Sequence, residues 1–135
     1  MYFRVDMTPI GKARARTVTG RDGSVHSYTP QSTAKAEMLI RSAANREGDS
    51  FPAGTPLDMI IVAWFHRPKS APKSRIFPVV KPDLDNVVKL VIDALSGVVY
   101  PDDNQICRFE AFKAYCKDGD IPHIDVWIFE LKTEG

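Results

Sequence analysis

Residues 81–106 read KPDLDNVVKLVIDALSGVVYPDDNQI. Pro82 holds Lys81 extended and blocks any helix arriving from upstream. Beyond it Leu84, Val87, Val88, Val91, Ala94 and Leu95 recur at steps of three and four. That period predicts a helix running to about Ser96, with Gly97 as its stop signal. Val98-Val99-Tyr100-Pro101 then returns the chain toward Asp102 and Asp103. Asp83 occupies the N-cap position and Asp85 the first turn, where an acidic side chain gains roughly 0.3–1 kcal/mol from the helix N-terminus. Capping accounts for either of these residues but not for Asp102 or Asp103. A helix of about fifteen residues is about 22 Å long, so the return must run back along it if Asp103 is to meet Asp85. That meeting is expected here. It would crowd four carboxylates around one lysine, and such a group repels itself unless a cation sits within it. A hard divalent ion with oxygen ligands is the usual solution.

On the same helix Asp85, Lys89 and Asp93 fall at i, i+4 and i+8, on the face opposite the apolar stripe. Two readings stand. One is a surface ion-pair ladder, with about 0.3–0.5 kcal/mol per pair. The other reserves Lys89 for chemistry and leaves only Asp93 to the ladder. Asp102 is either a fourth ligand or the polar residue that opens the next strand. Asn86 either orients a ligand or simply completes the first turn.

The pattern Lys81-Pro-Asp83-Leu-Asp85-Asn86-x-x-Lys89-x-x-x-Asp93-Ala-Leu-x-Gly97-x-x-Tyr100-x-Asp102-Asp103-x-Gln105-Ile106 resembles the signature of the RusA family of Holliday junction resolvases. A 26-residue run is far more specific than a lone Asp-x-Asp. The order of the flanking elements fits over most of the chain, and the N-terminal third matches only loosely. The resemblance implies a homodimeric endonuclease that depends on magnesium, with manganese as the alternative ion. It would nick branched DNA, four-way junctions above all, in recombination and repair. It also implies Asp83, Asp85 and Asp103 as essential carboxylates and metal ligands, and Lys89 as the essential lysine. Lys89 would stabilise the charge on the phosphorane or position the attacking water. Two other classes compete with this one. In an aspartyl-phosphate phosphatase the Asp-x-Asp follows an apolar strand, whereas here Lys81-Pro82 precedes it. A branched-DNA-binding module that does not cut would not need all four matching residues.

The flanks agree with a polyanionic partner. Residues 1–81 carry thirteen Lys and Arg against six Asp and Glu, and residues 82–135 carry five against eleven. A basic half suits DNA and an acidic half suits metal, although two such halves also attract each other. The basic residues concentrate in loops: Lys12, Arg14 and Arg16 near the start, and Arg67, Lys69, Lys73 and Arg75 in the proline-rich connection 66–80, which holds no acid. These seven are the expected phosphate contacts. The connection reads as a DNA-facing flap, since loops of that length are usually functional or mobile.

A chain of 135 residues with 44% hydrophobic content makes one domain, 1–135, with a real core. No run approaches a membrane helix, and MYFRVDM has no signal-peptide pattern. Cys107 and Cys116 fall on one predicted strand about 30 Å apart and cannot bridge each other, which suits a reducing cytoplasm. Tyr2–Met7 alternates as a strand, and 17–28 reads as a hairpin turning near Arg21-Asp22-Gly23. A helix capped by Ser32 or Thr33 runs to about Arg46. Leu57–Phe65 is apolar on both faces, which predicts a central strand covered on both sides. Gln105–Tyr115 is a strand, and Lys117-Asp118-Gly119-Asp120 predicts a hairpin turn into Ile121–Leu131. The expected fold is α+β: one mixed sheet with two helices on one face.

Overall fold

In the computed structural model, which describes residues 1–13, 16–28 and 30–132, the chain runs β1 (Tyr2–Asp6), β2 (Arg16–Thr19), β3 (Val25–Tyr28), α1 (Gln31–Glu47), β4 (Leu57–Phe65), α2 (Leu84–Leu95), β5 (Ile106–Tyr115) and β6 (His123–Glu130). The main sheet has the order β1-β6-β4-β5. β5 lies parallel to β4, while β6 is antiparallel to both β4 and β1. β2 and β3 form a separate two-stranded arm. The fold is therefore α+β with a mixed sheet. No helix among the described residues is long and apolar enough to cross a membrane.

The two-residue period of the strands sorts the core. Phe3, Val5, Met59, Ile61, Ala63, Ile124, Val126 and Ile128 share one face and are buried. Ile40, Ala43, Val87, Leu90, Val91 and Leu95 of the two helices complete this core, so both helices lie on that face. Arg41 ties the helices together, giving its guanidinium to Ala94 O at 3.0 Å and to Glu37 at 2.9 Å.

Three expectations need correction. The second face of β4 is not covered: Ile60, Val62 and Trp64 are only half-buried, beside exposed Tyr2, Phe112 and Phe129. Asp125 makes that open face habitable for a polar group, accepting from Tyr2 Oη at 2.6 Å and Trp64 Nε1 at 2.9 Å. Burial and this carboxylate together push the Tyr2 phenol up to about 12. Secondly, β5 and β6 do not form a hairpin, because β4 lies between them. The Asp-Gly turn is present, with Gly119 at φ 87, but it carries the chain across the end of β4. A central strand has two edges to fill, and β5 and β6 each take one. Thirdly, Pro30 and not Ser32 or Thr33 stands at the N-cap of α1. Thr33 is buried instead and accepts from Ala13 N at 3.3 Å.

The return after α2 sets up the acidic turn. Gly97, at φ 82, donates its N–H to Tyr100 O at 2.7 Å, and Val99 N reaches Leu95 O at 3.0 Å. Positive φ favours glycine there. Tyr100 is folded back into the core, with its hydroxyl on Ile92 O at 2.9 Å. The chain thus runs back along α2 before a short 3-10 turn, Asp103–Gln105, leads into β5. Gln105 is buried and pins that turn, donating to Pro52 O at 2.9 Å and Thr55 O at 3.1 Å.

Candidate active site

Asp85, Lys89 and Asp93, one helical turn apart, line a cleft of about 670 Å³ between α2 and β5. Leu84, Val88 and Ile92 supply its apolar wall, and Asp103, Phe109 and Ala111 complete it. Asp85 and Asp103 thus line one cleft, but the carboxylates acting on Asp103 are Asp102 and Asp93, not Asp85. Asp83 stands apart. It faces a neighbouring cleft lined by Ile10, Gly11, Lys12, Lys81, Pro82 and Asn86. Its backbone is the N-cap of α2, but its carboxylate accepts no cap hydrogen bond and is left exposed.

The charges around the cleft are strongly partitioned. Asp102 caps the 3-10 turn, accepting from Asn104 N at 3.0 Å, and its own N–H donates to Gln105 Oε1 at 3.2 Å. A hydrogen bond with Asp102, partial desolvation, and the charges of Asp102 and Asp93 hold Asp103 above the usual carboxylate range. Burial, with Asp103 and Asp93 nearby, raises the Tyr100 phenol well above its ordinary value. The cleft is thus over-supplied with negative charge. The ladder reading of Asp85, Lys89 and Asp93 fails in its key pair, because Asp93 binds Lys12 Nζ at 2.7 Å. Lys12 also meets Glu37 at 3.2 Å, and these two carboxylates raise its pKa although partial burial works the other way. Among the described residues Lys89 has no acidic partner within 4.0 Å.

The basic residues divide in the same way. Lys12, expected on DNA, is a tether between the N-terminal arm, α1 and α2. Its backbone N–H also donates to Asn86 O at 3.0 Å. Gly11 lies so close to α2 that a Cβ there would stand 2.9 Å from Asn86 Cβ. Arg14 lies outside the described residues, and Arg16 opens β2. Arg67 is an internal brace: its guanidinium donates to Arg75 O at 2.5 Å and Pro72 O at 2.8 Å, and lies 5.2 Å from the centre of the Tyr115 ring. Lys69 and Lys73 are exposed and Arg75 is partly buried. Sequence reasoning missed Lys113, whose ammonium holds the Val80 carbonyl and, at 2.8 Å, that of Pro82. It also missed Phe109 on the cleft wall. Nothing local marks either residue, since both project from an ordinary strand.

The cleft suits a hard divalent ion by its donor chemistry. Two exposed carboxylates share it, and crowding by Asp93 and Asp102 already raises the proton affinity of Asp103. Among the described residues no three His, Cys, Asp or Glu side chains converge into a ready-made ligand set. Magnesium seldom needs one: it keeps several waters and takes one or two carboxylates plus substrate phosphates.

A family model described as endodeoxyribonuclease RusA matches residues 6–128. The chain is also 29% identical over 141 residues to the uncharacterized protein YqaN of Bacillus subtilis (strain 168), covering 97% of this chain and 96% of that one.

Proposed function

Because the chain belongs to the RusA family of endodeoxyribonucleases, we propose that its acidic cleft hydrolyses phosphodiester bonds of branched DNA and resolves four-way junctions by paired nicks. The observation that carries this reading is that Asp85, Asp103 and Lys89, which has no acidic partner within 4.0 Å among the described residues, line one open cleft. Magnesium, or manganese in its place, would be held by Asp85 and Asp103, with Asp83 joining from the helix start. When bound it would supply positive charge against the scissile phosphate and acidify water. The Asp83 carboxylate makes no cap bond, so turning toward that ion would sacrifice nothing in α2.

The protein's own residues do the rest. Lys89 meets the charge that develops on the phosphoryl oxygens, where a preorganised cation acts mainly on the transition state. Asp102 and Gln105 hold Asp103 against the cleft through the capped turn. Lys69 and Lys73 take phosphates on the approach, and Arg67 shapes the loop that presents them. Two matched cuts across a twofold junction call for two clefts, so the working form is a homodimer. Its place is the cytoplasm, in recombination and repair of DNA.

The direct test is nicking of an end-labelled synthetic four-way junction, with magnesium and with EDTA. Symmetric nicks that require the metal are expected. Tight junction binding with no nick in magnesium would replace this reading with a non-cutting module.

A further inference from the structure

Between Asp58 and Asp83 the chain has no acidic residue. Within that span lies Ile76-Phe77-Pro78-Val79-Val80, in which Ile76, Phe77 and Val79 are 73%, 64% and 77% exposed. This exposure is built, not slack. Arg67 clamps the carbonyls of Pro72 and Arg75 on one side. Lys113 clamps those of Val80 and Pro82 on the other, and Pro78 is buried between them. Val79 N closes a turn onto Phe77 O at 2.9 Å. The segment therefore holds an apolar tip away from the body, four residues before Leu84 opens α2 and the cleft begins.

An apolar tip of this kind needs an apolar surface to cover it. The residues on either side of it in the chain are cationic: Lys69, Lys73 and Arg75 before it and Lys81 after it. A second copy of the same segment would set those cations against one another. A partner that is apolar at the centre and anionic around it fits better. Unpaired nucleobases flanked by phosphates have that character, and their faces stack on aromatic and aliphatic side chains. We propose that Ile76–Val80 is a wedge that enters the branch point and unstacks the bases next to the strand delivered to the cleft. This rests on the branched-DNA reading above but concerns opening of the branch, not hydrolysis.

The test uses the full chain and a synthetic four-way junction with 2-aminopurine beside the branch, in calcium so that no cutting intervenes. Wild-type protein should raise 2-aminopurine fluorescence severalfold on binding. Phe77→Ala and Val79→Ser change exposed side chains and should leave the circular dichroism spectrum unchanged. Each should lose most of that rise, and stacking losses of this size slow nicking of the intact junction by roughly tenfold or more. Nicking should recover on a junction whose branch bases are already mispaired. A wild-type protein that opens the branch but never cuts supports the wedge and sinks the nuclease reading instead. Absence of a fluorescence rise with wild type, or an unaltered rise in both variants, overturns the wedge. So does a shift of either variant to a smaller assembly by sedimentation, which would make the tip a protein contact.

Discussion

Asp93 gives its carboxylate to Lys12, and among the described residues Lys89 has no acidic partner within 4.0 Å. If Lys89 acts on transition-state charge, Lys89→Ala should slow single-turnover nicking by roughly 100-fold or more. Junction affinity should barely move, and stability should change by well under about 1 kcal/mol, since no ion pair is lost. Lys89→Arg keeps the charge in another shape and should rescue only partly. Wild-type rates for Lys89→Ala at high magnesium would remove it from the chemistry. Asp85→Asn and Asp103→Asn should each abolish nicking while binding of the junction persists or tightens, because negative charge is removed from a DNA-facing cleft. Asp83→Asn should do the same despite its neighbouring position. Retained nicking in that variant, measured over a magnesium titration, would confine the ligands to the cleft. That Asp85, Lys89 and Asp103 share one cleft was legible because a helical period and a turn signal point them to the same end of the chain's return, whereas the separate placing of Asp83 was not. Their true neighbours were not. That Lys12 would take Asp93, or that Gly11 would press on Asn86, depends on where an N-terminal arm docks, and no local pattern encodes that.

At the scale of elements, β4 shows how far pattern reading reaches. Its bounds and central position were plain from a nine-residue run that is apolar but for Asp58, but the partners on its edges were not. The Asp-Gly signal after Cys116 is a real turn, and a local rule reads it as a hairpin. The sheet overrides that rule by inserting β4, and the seven residues Cys116–Pro122 cross its end, with Cys116 N on Phe65 O at 2.8 Å. One clip secures this crossing to the far strand. Arg4 of β1 meets Asp120 at 2.9 Å, and Ile121 N donates to Asp120 Oδ1 at 2.8 Å. The Arg4 pair, then the Ile121 N–H, lower the Asp120 pKa from 3.8 to about 2. A carboxyl depressed in the folded state contributes stability that is fully present above its unfolded pKa and lost as pH falls through the folded one. The contribution should therefore fade between about pH 4 and pH 2. Urea midpoints across that range should fall less steeply for Asp120→Asn than for wild type. Parallel slopes would mean that the clip does not contribute.

For the whole molecule, the helices and the acidic cleft sit on one side of the sheet, and the other side is left half-bare. If two clefts act together, sedimentation equilibrium at micromolar protein should return about twice the 15.1 kDa of one chain. A 15.1 kDa species that still places matched nicks in both strands of a junction would end the dimer proposal. The bare side has a further consequence. Trp64 and Trp127, the protein's two tryptophans, both lie there, one bonded to Asp125 and the other 5.1 Å from the Tyr2 ring centre. The molecule is thus its own optical probe, with both emitters on the face opposite its chemistry. A blue shift of emission on raising protein concentration, without DNA, would report water leaving that face. Magnesium or a junction entering the cleft should leave the same spectrum nearly still.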